Sequence, residues 1–161
     1  MNTADLKYLI GRVINSEVYK RWNKKDHYLV NCFFFNDRQN VSFYSKTTKK
    51  ITTFNIGDEV EIWAGEDVFQ EKKEDLEELK IEDVNISLSN AGILADKIKI
   101  EKLADEKVAL KIFILQQKAI PFWNVTYTTS AFNIFNVKIN ATNGEIIDES
   151  VSSFMDLRKT L

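Results

Sequence analysis

The sequence predicts an α+β protein made of two tandem units, each a helix followed by about four antiparallel strands. Three observations predict it. Two stretches, 4–22 and 88–104, carry apolar residues at spacings of three and four, as one face of a helix does. After each lie short runs in which apolar and polar residues alternate with a period of two, as half-buried strands do. The order also repeats: helices start near 4 and 88, first strands near 27 and 108, second near 41 and 122, third near 51 and 133. An offset of about 82 residues is too long for a solenoid repeat and long enough for each unit to lay its helix on its own sheet. The expected divisions are a first unit over 1–65, an acidic connector over 66–85, and a second unit over 86–161 that ends in a short helix.

Taken in order, Leu6, Leu9, Ile10, Val13, Ile14, Val18 and Trp22 define the first helix, with Thr3 as its N-cap. Lys20, Arg21, Lys24 and Lys25 crowd its C-terminal end, where cations meet the negative end of the dipole. Strands are expected over His27–Phe35, Val41–Ser45, Ile51–Ile56 and Glu59–Trp63, each rich in aromatic or β-branched residues. Residues 66–83 hold nine acids against three bases, a net charge of −6 that leaves +4 on the rest of a chain of net charge −2. Such a run reads as a solvated connector, with a short helix over 73–79. Ser87 caps the second helix, whose stripe is Leu88, Ala91, Leu94, Ala95 and Ile98. Val108–Leu115 is a strand, 116–121 a turn closed by the only proline, and Ser153 caps a last helix over Phe154–Lys159.

The most ordered pattern lies between. Trp123, Val125, Tyr127 and Thr129 alternate with Asn124, Thr126 and Thr128, and Phe135, Val137 and Ile139 alternate with Asn136, Lys138 and Asn140. Asn143-Gly144 then reads as a turn, since both residues tolerate positive φ, and Glu145-Ile146-Ile147 starts a return strand. This aromatic-rich strand, the run Asn140-Ala-Thr-Asn-Gly-Glu-Ile-Ile147 and the upstream helix resemble a PepSY-like domain over roughly residues 86–150. The family's Asp-Ala-x-Thr-Gly-Glu ending appears with Asn140 for the Asp and Asn143 for the Thr, while Ala141, Gly144 and Glu145 match. The resemblance implies a small helix-on-sheet domain that binds or restrains other proteins, often peptidases. It carries no catalytic residues over.

Composition narrows the chemistry. With 44% hydrophobic and 29% charged residues the chain is an ordinary globular one, long enough to bury a core without staples. A net charge of −2 gives no field that draws nucleic acid, and no stretch reaches the length of a membrane span. Met1–Lys7 lacks a basic region followed by an apolar run, so the expected setting is cytoplasmic, with an exported mature form still open. The single cysteine, Cys32, permits no internal disulfide and reads as a small buried hydrophobe. His27, the lone histidine, lies on the same strand at opposite parity, so the pair is expected on opposite faces and no zinc site or nucleophile–base pair is expected. Glu145, Asp148 and Glu149 read as a solvated strand end.

What remains is a binding surface, expected to be non-catalytic and to need no cofactor or metal. The candidate contacts are Trp123 and Tyr127, or, if those two belong to the core, the opposite parity Asn124, Thr126 and Thr128. The expected partner is a protein or peptide of unknown identity, taken at an open sheet edge or on a sheet face. The alternative is a small-ligand or lipid-binding domain, which needs an enclosed apolar pocket of about 300 Å³ or more. An enzyme, the third class, needs carboxylates that converge in a cleft.

Overall fold

The structure is a computed structural model that describes residues 3–22, 25–67 and 74–157. Its strands are β1 (His27–Phe35), β2 (Arg38–Ser45), β3 (Lys50–Ile56), β4 (Val60–Asp67), β5 (Val108–Lys118), β6 (Ile120–Thr129), β7 (Asn133–Asn140) and β8 (Ile146–Ser153). Its helices are α1 (Thr3–Ile14), α2 (Glu17–Arg21), α3 (Leu88–Lys102) and α4 (Phe154–Leu157), with a 3-10 turn at Ile81–Asp83. All eight strands join one antiparallel sheet in the order β4-β3-β2-β1-β5-β6-β7-β8. This overturns the expected pair of helix-plus-sheet units, and with it the α+β class and the expected internal repeat of self-contained copies. The molecule is mainly one sheet with few helices. The physical reason is the edge: β1 and β5 would each have ended a four-stranded sheet with a row of unpaired backbone groups, and they pair with each other instead. Periodicity reports which face of a strand is buried, not which neighbour it takes.

The sheet buries one face. Cys32 and Phe34 of β1, Val41 and Phe43 of β2, and Phe54 and Ile56 of β3 meet Leu6, Leu9, Ile10 and Val13 of α1 in one core. Trp123, Val125 and Tyr127 of β6, and Phe135, Val137 and Ile139 of β7, continue that core beneath Ala91 and Ala95 of α3. Small residues on α3 let the helix approach these large rings closely. Tyr19 and Trp22 cap the other end by packing on Phe43 and Phe54, with ring centroids 5.2–5.7 Å apart.

Local chemistry explains where the elements stop. The expected first helix, 4–22, divides at Asn15–Ser16. The Ser16 hydroxyl donates to the Val13 carbonyl (2.6 Å) and accepts from the Tyr19 amide (3.2 Å), ending one helix and capping the next. Ser87 caps α3 as expected, accepting from the Asn90 amide at 3.1 Å. The expected turn over 116–121 shrinks to Ala119, which takes φ +61° between two long strands. At Asn143-Gly144 only Gly144 takes positive φ (+83°), while Asn140 Oδ1 holds the turn by accepting from the Thr142 amide at 2.8 Å.

The connector also departs from expectation. Residues 68–73 lie outside the described residues, and 74–80 forms neither helix nor strand. It starts on the face away from the helices, where Tyr28 donates to the Leu76 carbonyl (2.6 Å) and Tyr44 to Asp75 (2.9 Å). It then crosses the sheet where β1 and β5 diverge. The Leu79 amide donates to the Leu29 carbonyl (2.8 Å), and Leu79 and Val84 enter the helix-side core. A register shift between Leu29 and Asn31 marks the same place. It inverts the parity of the strand, so His27, whose ring lies 4.5 Å from Trp22, faces the same side as Cys32. The expectation of opposite faces is thereby corrected.

Trp123 is fully buried at the centre of this arrangement, and its indole N–H donates to the Ile86 carbonyl (2.8 Å). Trp123→Ala is expected to destabilise the fold by about 3–5 kcal/mol, read by urea denaturation; a loss below about 1 kcal/mol would contradict the packing described.

Candidate functional site

The pleat sorts the five expected contact residues into two groups. Trp123 and Tyr127 point under α3 and are core. The Trp123 ring packs near Phe34 (5.9 Å) and Phe113 (6.4 Å). The Tyr127 hydroxyl donates to Asp96 Oδ1 (2.5 Å), and its ring stacks on Phe135. Burial, reinforced by the Asp96 carboxylate, pushes the Tyr127 phenol far above its usual range. Lys111 pairs with Asp96 at 2.7 Å and lies over the rings of Phe113 and Tyr127. Neither aromatic is available to a partner.

Asn124, Thr126 and Thr128 take the opposite face and come together there with residues of the other strands. One register row crosses the whole sheet: Glu61, Asn55, Asn40, Phe33, Ile114, Asn124, Lys138, Asp148. A neighbouring row runs Ile112, Thr126, Asn136, Ser150. Residues 74–80 lie against this face at its Tyr28 and Tyr44 end. Phe33, Ile112 and Ile114 are half-buried by their neighbours in the sheet and Leu110 is exposed, so an apolar strip runs down the middle. Amides and hydroxyls frame it. Asn136 donates to Asn124 Oδ1 (2.5 Å) and to Thr126 Oγ1 (2.8 Å), which ties these side chains together across β6 and β7. On the other flank Ser42 and Thr53 share a hydrogen bond of 2.9 Å, and Asn40 Oδ1 is buried with no partner among the described residues.

Sequence reasoning missed Phe33, Ile112 and Ile114. A signal was present: Phe33-Phe34-Phe35 and Ile112-Phe113-Ile114-Leu115 are apolar on both parities, which marks a strand apolar on both faces.

Other features are less directed. Two clefts flank Leu76 on the face away from the helices. One of about 400 Å³ lies among Tyr28, Lys46, Asp75, Lys80 and Gln117, and one of about 170 Å³ among Val30, Leu76, Gln116 and Phe122. On the helix side, a cleft of about 310 Å³ lies between Gly92 and Ile93 of α3 and Lys111 and Phe113 of β5. All three open to solvent, and their linings mix polar with apolar groups. The acids near the last strand do not converge: Glu149 pairs with Lys102 (3.1 Å), Asp148 with Lys138 (3.8 Å), and Glu145 accepts from Asn143 (3.0 Å). No group of three His, Cys, Asp or Glu among the described residues is placed to hold a metal ion. No helix among them is long and apolar enough to cross a membrane.

No family model matches the sequence, and no curated protein matches it. A crystal structure of a Clostridium difficile 630 protein, provisionally described as a lipoprotein, is similar over 94% of this chain and 93% of that one, at 11% identity and a TM-score of 0.47. A likeness at that level carries no argument about this chain.

Burial pushes the Cys32 thiol up to about 12. A thiol reagent at about pH 8 is therefore expected to leave the native chain unlabelled and to label it fully in concentrated urea. The sign follows: the unfolded thiol ionises first, so this group's contribution to stability is intact below a free thiol's ~8.5 and is lost as pH rises toward about 12. Rapid labelling of the native chain would place Cys32 outside the core.

Proposed function

We propose that this chain is a non-catalytic protein-binding module whose uncovered sheet face receives the partner. The observation that carries the reading is the apolar strip Phe33, Ile112 and Ile114, lying on a face that no described helix covers and framed by Asn124, Thr126 and Asn136. Apolar side chains grouped on an open, polar-framed part of a sheet face mark interaction surfaces more often than bulk surface. Asn124 and Thr126, held by Asn136, form a preordered polar rim, while Thr128 extends the rim beside Leu110. The PepSY-like resemblance of residues 86–150 adds the class of partner: a protein held in check, with a peptidase first among candidates. The small-ligand or lipid alternative needs an enclosed apolar pocket, and the open, mixed clefts favour it less.

The test is capture from native extract by the tagged chain, run beside Thr126→Arg on the open face and Tyr8→Ser on the exposed side of α1. The expected result is one stoichiometric partner kept by the wild type and by Tyr8→Ser, and weakened at least about tenfold by Thr126→Arg, the loss expected when a central contact is blocked. If that partner is a peptidase, its activity is expected to fall when the chain is added. A partner held equally by all three chains would move the site elsewhere, and no partner at all would overturn the reading.

A further inference from the structure

Strand β8 ends the sheet. Edge strands are commonly protected by lysine, proline, shortness or covering elements. This one runs for eight residues without lysine, arginine or proline, and all of Ile146–Val151 is exposed. Its one irregularity lies at Ile147; from Asp148 to Ser153 it pairs with β7 in unbroken register. Among the described residues nothing pairs with its outer side. Each of its two acids already lies beside a lysine of the same chain, Glu149 by Lys102 of α3 (3.1 Å) and Asp148 by Lys138 of β7 (3.8 Å). The edge therefore offers backbone groups with the charge repulsion that normally guards them reduced.

We propose that β8 is a homodimer interface, with a second copy of this chain adding its own β8 antiparallel to the first. Two copies related by a two-fold axis perpendicular to the sheet keep their helices on the same side, so only residues of like parity face one another. The register with Ser150 on the axis satisfies this and sets Glu149 opposite the partner's Val151 and Asp148 opposite the partner's Ser152. No acid meets an acid. The same register sets Val151, which is 50% exposed in one chain, against the aliphatic stem of the partner's Glu149 on both sides of the axis. A small hydroxyl on the axis, acids facing neutral residues and a valine covered on each side of it make the edge self-complementary. Nothing comparable selects a foreign strand. The dimer would continue the sheet from eight to sixteen strands and extend the uncovered face across the axis.

Sedimentation equilibrium of the full chain gives the mass, with three single variants. The wild type is expected to approach the mass of two chains as concentration rises. Ser150→Lys places two ammonium groups together on the axis, and is expected to stay at the mass of one chain with an unchanged circular-dichroism spectrum and Tm. Ser150→Cys, treated with oxidised glutathione, is expected to form a dimer linked by one disulfide, the two thiols being oxidised as glutathione is reduced. Ser152→Cys, which faces Asp148, is expected to form far less. A wild-type mass of one chain at all concentrations overturns the proposal, even if a foreign peptide binds β8. A dimer that survives Ser150→Lys places the interface elsewhere, and preferred cross-linking through Ser152→Cys overturns the register. The partner of the uncovered face is tested separately by Thr126→Arg, so either reading can fail alone.

Discussion

The junction between β1 and β5 is the contact on which the rest of the structure depends. It is short: Asn31–Phe34 pair with Phe113–Gln116, four residues on each side, whereas β5 and β6 pair over ten. The sequence separation is large, so no hairpin turn helps to bring the strands together. Past Asn31 the two strands diverge, and the Leu29 carbonyl there takes its bond from the connector, through the Leu79 amide. Leaving such a buried group without a partner costs about 1–3 kcal/mol. Tyr28 and Tyr44 hold the connector on one side of the sheet and Leu79 anchors it on the other, so the segment closes the gap from both faces. Lys49, with Tyr44, holds the Asp75 carboxylate below its usual range, but an exposed pair of this kind adds little to the closure.

This junction also makes the candidate surface. Phe33 and Ile114 face each other across it, so the centre of the apolar strip consists of junction residues. The second half supplies Leu110, Ile112 and Ile114 from β5, and the pairing adds Phe33 of β1 to them. The helices lie on the other face because both halves bring their helical layers to the same side, and joining the halves leaves one long face uncovered. The joining also moves the free edges outward, to β4 and β8, where a strand eight residues long ends the sheet. Surface and edge are thus two consequences of one pairing.

Much of this was legible from residue spacing, and the limits have physical causes. Period-two alternation placed Trp123, Val125 and Tyr127 on one face of a strand and Asn124, Thr126 and Thr128 on the other, and the structure keeps that division. What alternation could not say was which side a partner would reach; only the small residues Ala91 and Ala95 on α3, read against the rings of β6, make the aromatic side the core. Short-range chemistry was legible at Ser87 and hidden at Ser16, which sits within a continuous apolar stripe yet interrupts it through its hydroxyl. The parity argument for His27 and Cys32 failed because one extra residue near Val30 inverts the strand's faces, a feature with no signature in the sequence itself. The division into two units failed for a non-local reason: the pairing of β1 with β5 joins residues about 80 apart, and their apolar character on both parities was the only trace of it.

Amide hydrogen exchange across the junction tests its role most directly. The amides of Asn31–Phe34 and Phe113–Gln116, with that of Leu79, are expected to exchange only as the whole sheet unfolds, with the same opening free energy as the centres of β2 and β6. Fast exchange at the junction and at Leu79, while β2 and β6 remain protected, would mean that the halves are separate bodies and that the continuous face does not persist in solution.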